Sequence, residues 1–360
     1  MSTHRPEVAD VFRSHGAAYE RAYGSSTSKQ QKRVLRELGL CRTEALGGHK
    51  YTCDCCGHER ISYNSCRNRH CPKCQAAARA EWLEARNKDL LNVPYFHVVF
   101  TIPKQLGLLA LQNKRLVYAI LFRAASQTLL TIAKDPKHFG ADIGFLTVLH
   151  TWGQNLLHHP HLHCVVPGGG ISPDGRNWIG AKQDFFLPVR VLSRLFRGKL
   201  LAYLQEAFDN GRLSFYGKLK GLSNKTCWKN WLGKLYSQDW VVYAKPPFGG
   251  PEQVLKYLAR YTHRVAISNQ RLVFLEDGKV TFRWKDYAQG NRPRTMTLDA
   301  LEFIRRFLLH VLPSGFMRIR YYGIFANGHR REKLVVVRKL LADKQSTSPA
   351  ADETPSTPAH

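Results

Sequence analysis

Residues 157–170 read LHHPHLHCVVPGGG, and two of the histidines, His161 and His163, flank a single apolar residue. Side chains of a strand alternate faces, so these two imidazoles share one face about 7 Å apart. That separation lets both rings reach one divalent ion, while Leu162 turns the other way into a core shared with Val165. Imidazole suits zinc, manganese and related ions, whereas magnesium prefers oxygen donors. His159 has the same parity, but it stands at the strand entrance before Pro160 and is the weaker ligand. A third ligand has to come from elsewhere in the chain.

A second chemistry-bearing pair stands in KYLARYTHR, where Tyr257 and Tyr261 lie four residues apart. On a helix they share one face, one turn apart. Leu255 and Leu258 fit an ordinary buried aromatic stripe, but Lys256, Arg260, His263 and Arg264 do not, because a core face does not gather cations. A phenol is a poor nucleophile at its ordinary pKa of about 10. Neighbouring cations and a metal-polarised phosphate would stabilise its oxyanion.

The third constellation is CDCCGHERISYNSCRNRHCPKC. It holds Cys53-x2-Cys56 and Cys71-x2-Cys74, two knuckles separated by fourteen residues. Four thiolates suit tetrahedral zinc, and the spacing predicts one structural zinc on Cys53, Cys56, Cys71 and Cys74. Cys66 or His70 could replace a knuckle ligand or build a second site, and Cys55 adds a further thiol. So small a segment has no core of its own, so metal binding and folding would be coupled. Arg60, Arg67, Arg69 and Lys73 between the ligands give the module a basic edge that could grip DNA phosphates.

These groups need elements to position them. The chain has 360 residues, 44% of them hydrophobic, enough for two or three domains. Residues 1–40 carry apolar positions at helical spacing. A helix is expected over 81–91, stopping before Pro94. PYFHVVFTIP is β-rich and bounded by Pro94 and Pro103. LALQNKRLVYAILFRAASQTLLTIA reads as one long amphipathic helix, and FLTVLHTW and HLHCVVP read as strands. Helices follow near 189–208 and 228–236, then a strand at DWVVYA. PEQVLKYLARY opens with a proline suited to a first helical turn, and RLVFLEDGKVTFRW reads as a hairpin turning at Asp277-Gly278. The last twenty residues are rich in Ser, Thr, Pro and Ala and are expected to be disordered.

Charge narrows the partner. With 54 Lys+Arg against 27 Asp+Glu the net charge is +27, which favours nucleic acid over an anionic membrane. No apolar run of about 18 residues is evident, and MSTHRPEVAD lacks the apolar stretch of a signal peptide. The chain is therefore expected to be cytoplasmic, nucleoid-associated when bound to DNA, with reduced thiols. Six of the nine cysteines fall between Cys53 and Cys74, a clustering that favours metal over disulfides.

The motifs SCRNRHCPKCQ, HTWGQNLLHHPHLHCVVPGGG and YLARYTHRVAIS, in this order along the chain, resemble the two-tyrosine rolling-circle transposases of the insertion sequence 91 type. These belong to the HUH superfamily of single-strand nucleases, and the resemblance covers about residues 10–335. It implies an α+β fold: an antiparallel-sheet HUH nuclease domain with flanking helices, preceded by a small zinc-binding module. The implied layout is a helical and zinc-binding DNA-binding region over 1–90, a nuclease domain over 91–275, a C-terminal extension with hairpin and helix over 276–335, and a mostly disordered tail over 336–360. It further implies that His161 and His163 hold a catalytic Mg2+ or Mn2+, beside the structural Zn2+. Tyr257 and Tyr261 would be nucleophiles that leave a 5′-phosphotyrosine and a free 3′-OH. The implied partners are single-stranded or hairpin DNA ends of a mobile element and its target DNA. The third metal ligand varies among HUH enzymes, and Gln154, Gln253 and His263 are the candidates here.

Three other readings compete. A zinc-dependent DNA-binding regulator explains the charge and cysteines but leaves HLH and the tyrosine pair as coincidences. A phosphoesterase using an activated water predicts no covalent protein–DNA adduct. A plasmid relaxase or replication initiator shares the chemistry and differs in its DNA site. No GxxxxGK[ST] phosphate loop is present, consistent with transesterification that needs no nucleotide hydrolysis. Trp152 and Trp178 are candidates for stacking on exposed bases.

Overall fold

The computed structural model describes residues 5–182, 186–248, 253, 265–286, 289–290 and 292–346. Helices α1 (Val8–Tyr23) and α2 (Lys29–Gly39) open the chain, each begun by a capping box, Glu7 with Asp10 and Ser28 with Gln31. An exposed hairpin of β1 (Gly48–Thr52) and β2 (Glu59–Tyr63) follows, then α3 (Pro72–Asn87) with proline in its first turn. The main body comprises β3 (Tyr95–Thr101), α4 (Gly107–Gln112), α5 (Lys114–Lys134), β4 (Gly144–Trp152), β5 (His158–Pro167), β6 (Gly169–Ile171), β7 (Trp178–Gly180), α6 (Val189–Asp209), α7 (Lys225–Tyr236) and β8 (Val242–Phe248). The C-terminal portion holds β9 (Leu272–Glu276), β10 (Lys279–Asp286), β11 (Arg292–Asp299), α8 (Ala300–Leu309), β12 (Ile319–Gly323) and α9 (Arg330–Ser346).

The central sheet is antiparallel, in the order β12-β4-β5-β3-β8. Strand alternation sorts its side chains cleanly. Phe96, Val98 and Phe100 of β3, Phe145 and Leu149 of β4 and Leu162, Cys164 and Val166 of β5 enter the main core with α5 and α6. The opposite face carries His161 and His163 at one end. At the other end Tyr95, Leu146, Val148 and Val165 form a smaller cluster covered by Trp82 and Leu90. Val165 therefore lies on the histidine face, as its odd parity with His163 requires, and does not share the core of Leu162.

A second core joins the two ends of the chain. Val8, Val11, Phe12, Val34 and Leu38 of α1 and α2 pack with Val280 and Phe282 of β10 and with Phe303, Ile304 and Phe307 of α8. The β9–β10 hairpin turns at Asp277 (φ 49°) and Gly278 (φ 70°), the left-handed pair such a two-residue turn demands.

Several local expectations are corrected. The helix before Pro94 is α3 and starts at Pro72, because the second cysteine knuckle leads directly into it. The long helix is two, broken at Asn113 (φ −122°, ψ 42°), whose amide nitrogen donates to the Leu109 and Ser214 carbonyls. α5 proves long and apolar enough to span a membrane, but 67% of its apolar window is buried inside the protein, as a core helix requires. The tail begins later than residue 336, since α9 continues to Ser346 and seats Leu334 and Val337 against Leu91 and Ile324. Residues 347–360 lie outside the described residues.

Candidate functional site

At one end of the sheet, β4 and β5 pair so that His150 stands directly opposite His161 and Val148 opposite His163. The donor nitrogens of His150, His161 and His163 all lie within 4.8 Å of one another. Their ring centroids are 4.4 Å apart for His150 and His163, 4.8 Å for His161 and His163, and 5.5 Å for His150 and His161. His150 and His163 are buried, and His161 is half-buried at the rim. Three imidazoles converging at one end of the sheet are a donor set that could hold a divalent ion with a further coordination position left for substrate.

Two ring nitrogens are tied down by the protein. His161 Nδ1 lies 2.7 Å from the carbonyl oxygen of His159 and donates to it. His163 Nδ1 lies 2.8 Å from Nε2 of His97, on the neighbouring strand β3. In both rings an ion would then have to be held through Nε2. The His150 ring stacks on Trp152 at 4.7 Å and 19°. Burial holds His97 far below the usual imidazole range, at about 3, with Lys245 and His161 adding repulsion.

The β4–β5 connection fixes which histidines meet. It is short, residues 153–157, and Leu156 is fully buried with φ +62°. A left-handed leucine costs on the order of 1–3 kcal/mol and persists only where its surroundings impose it. Here the C-terminal portion does so. Arg271 donates to the Gln154 carbonyl, Arg306 to the Asn155 carbonyl at 3.2 Å, and His310 Nε2 to the Leu156 carbonyl at 3.0 Å. His310 is buried and pushed down to about 3 by desolvation, so it is neutral, with Nδ1 accepting from the Thr151 hydroxyl at 3.3 Å.

The thiol cluster differs from the two-knuckle expectation. Cys71 and Cys74 are joined by Cys41 and Cys66, with all four sulfurs within 4.8 Å of one another. The separations given by hydrogen-bonding geometry are 3.7 Å for Cys41–Cys74 and 3.6 Å for both Cys66–Cys74 and Cys71–Cys41. A zinc tetrahedron with arms of about 2.3 Å has edges of about 3.8 Å, so the four thiols fit that ion closely. Cys53, Cys55 and Cys56 instead sit exposed at the tip of the β1–β2 hairpin. The physical reason is anchoring: Arg69 donates to the Phe316 carbonyl, Asn68 to Glu37, and Lys73 pairs with Glu7 at 2.6 Å, so the second knuckle is held against α2 and the body. Hydrogen bonding from Cys66 lowers the Cys71 thiol to about 5, while burial raises that of Cys41 to about 11. His70 is buried, its Nε2 without a hydrogen-bond partner among the described residues, and outside this donor set.

Other expected residues fall as follows. Tyr257, Tyr261 and His263 lie outside the described residues, and Gln253 is exposed in a helical conformation. Gln154 offers its carbonyl to Arg271 in the β4–β5 connection. Trp152 and Trp178 are buried, at 9% and 6% exposure, so neither presents a face for base stacking. The sequence reading did not single out His150 as a candidate ligand, although its parity in FLTVLHTW with Trp152 was readable. What identifies it is the cross-strand register.

The fold and the two donor sets, three imidazoles and four thiols on a basic chain of mixed helix and antiparallel sheet, are those of a protein equipped to hold metal. The particular family follows from comparison. Residues 144–333, over half of the chain, match the family model described as "Putative transposase", and residues 11–102 match the "Transposase zinc-binding domain". The chain is 60% identical over 98% of its length to "Putative transposase y4qJ" of Sinorhizobium fredii (strain NBRC 101917 / NGR234), covering 88% of that protein. It is 29% identical over 82% of its length to the "Transposase for insertion sequence element IS801" of Pseudomonas savastanoi pv. phaseolicola, covering 70% of it. The chain belongs to this transposase family. Among solved structures, the conjugative relaxase TrwC in complex with oriT DNA, metal-free, aligns over 68% of this chain and 72% of its own at 16% identity and a TM-score of 0.26. That likeness is too slight to bear on the site.

Proposed function

We propose that this transposase cleaves and rejoins single-stranded DNA through 5′-phosphotyrosine intermediates, as rolling-circle transposition requires. The observation that carries the reading is the convergence of His150, His161 and His163 at one end of an antiparallel sheet. A DNA-binding regulator has no use for such a donor set beside a separate four-thiol set. Cys41, Cys66, Cys71 and Cys74 would hold the structural Zn2+, and the three histidines would hold the catalytic ion. Three imidazoles favour Mn2+ or a related transition ion over Mg2+. When bound, that ion would stabilise negative charge on the phosphoryl oxygens.

In this reading the Tyr257 or Tyr261 phenol attacks the scissile phosphorus. A phosphotyrosine bond forms, the bond to the 3′ oxygen breaks, and the phenol proton ends on the released 3′-OH. The histidines would set the position of the ion and do not act as bases. Two phenols allow two strands to be carried covalently at once. The net charge of +27 supplies non-specific affinity for DNA, which falls steeply with salt. The substrates would be element ends and target DNA, handled in the cytoplasm at the nucleoid.

The test is incubation with labelled single-stranded, hairpin and fully paired DNA plus Mn2+, at a salt concentration that suppresses non-specific binding, followed by a denaturing protein gel. Label should migrate with the protein for the single strand or hairpin, and Tyr257→Phe with Tyr261→Phe should abolish it while DNA binding persists. Undiminished label in that double variant, or equal cleavage of the duplex, would overturn the reading.

A further inference from the structure

His97 lies on β3 within PYFHVVFTIP, and nothing so far gives it a task. Its parity with Tyr95 and Val99 places it on the histidine face, where β3–β5 pairing sets it opposite Val165 and diagonal to His163. It is 3% exposed. Its ring lies nearly coplanar with that of His163, end to end, with centroids 5.0 Å apart and planes 10° apart, and Nε2 meets His163 Nδ1 at 2.8 Å. A 2.8 Å contact between two ring nitrogens requires one proton between them. It is not a fourth ligand, because the donor set within reach of one ion contains His150, His161 and His163.

We infer that His97 is a positioning residue, which accepts the Nδ1–H of His163 and so holds that ring in the tautomer whose Nε2 binds the ion. The inference rests on the metal site proposed above. The contrast with His161 supports it: there the strand's own His159 carbonyl does the same work at 2.7 Å. At His163 Nδ1 a side chain from the next strand takes that place. A carbonyl can only accept, whereas an imidazole accepts through one nitrogen while the other carries its proton, so His97 fixes the tautomer only together with its own. Second-shell partners of this kind are worth about 10–100-fold in metal affinity.

The probe is Mn2+, titrated calorimetrically into the full chain with its zinc retained. His97→Phe keeps a flat ring of similar size but cannot accept the bond, and should weaken Mn2+ binding about 10–100-fold. His97→Gln, whose Oε1 can accept the bond, should stay within a few-fold of the natural protein. Thermal unfolding of both variants in chelator checks that the fold is intact. Wild-type affinity in His97→Phe, or equal loss in His97→Gln, would overturn the inference. Imidazole 15N spectra of the metal-free protein separate it from the metal reading. Even if the natural protein bound no Mn2+, His163 should be Nδ1-protonated, shifting to a tautomer mixture in His97→Phe. A His163 protonated at Nε2 in the natural protein would also overturn it.

Discussion

His310 offers the sharpest quantitative check on how the site is held. The ring is buried between Trp152 and His158, with centroid separations of 6.0 and 6.4 Å, and both nitrogens are used in the neutral pattern. Desolvation pushes it down to about 3, and pushes His158 down to about 2. In the unfolded chain each would titrate near 6.5. The unfolded state therefore binds protons that the native state excludes, and stability must fall as pH drops below about 6.5, with the loss levelling only near pH 3. From pH 7.5 to pH 5.5 each such histidine costs about 1.4 kcal/mol, so the pair removes on the order of 3 kcal/mol. Substituting His310→Gln removes one titrating group. Urea unfolding followed by tryptophan fluorescence at the two pH values should show the natural protein losing about 1.4 kcal/mol more than the variant. Any contribution from the thiols or remaining histidines is common to both proteins and cancels in the difference. An identical pH loss in His310→Gln would refute the assignment of His310 as a buried neutral ring.

Three further outcomes are expected. Cys66→Ser should abolish zinc binding by elemental analysis, whereas Cys53→Ser with Cys56→Ser should leave one zinc per chain; the reverse result would restore the two-knuckle site. His161→Ala with His163→Ala should eliminate the covalent DNA adduct while the circular dichroism spectrum is preserved, and normal adduct formation would show that the histidines serve another purpose. Gly323→Ala should destabilise the protein by at least about 1–3 kcal/mol. At Gly323, with φ +59°, a Cβ would stand 1.9 Å from the Ile143 carbonyl oxygen, and unchanged unfolding would mean that β12 can be lifted from β4 at little cost.

What could be read in advance depended on how local the determining contact was. The shared face of His161 and His163 follows from two-residue periodicity, and the Asp277-Gly278 turn from backbone sterics, so both were legible. Cys71-x2-Cys74 was legible for the same reason, its two sulfurs being placed by one turn. The partners were not. Cys41 stands 25 residues before Cys66, in the turn after α2, and joins the cluster only because Asn68 and Lys73 dock on α2 and the start of α1. Cys53-x2-Cys56 has ideal spacing, but it caps a hairpin whose ten strand residues are all exposed, with no packing to bring it inward. Spacing alone does not distinguish a knuckle that is carried into a cluster from one that is not.

The same distinction explains His150. Its placement opposite His161 depends on a five-residue connection whose strained Leu156 is held by Arg271, Arg306 and His310, more than a hundred residues downstream. Those residues belong to a portion of the chain that shares its core with α1 and α2, and Trp152, which stacks on His150, lies in that core too, as do Cys41 and Cys71. One core thus touches both donor sets. Loosening it at α8 or at the thiol cluster should act on His150 before it acts on His161 and His163, whose spacing is intrinsic to β5. The third imidazole is the one that the tertiary structure, and not the strand, puts in place.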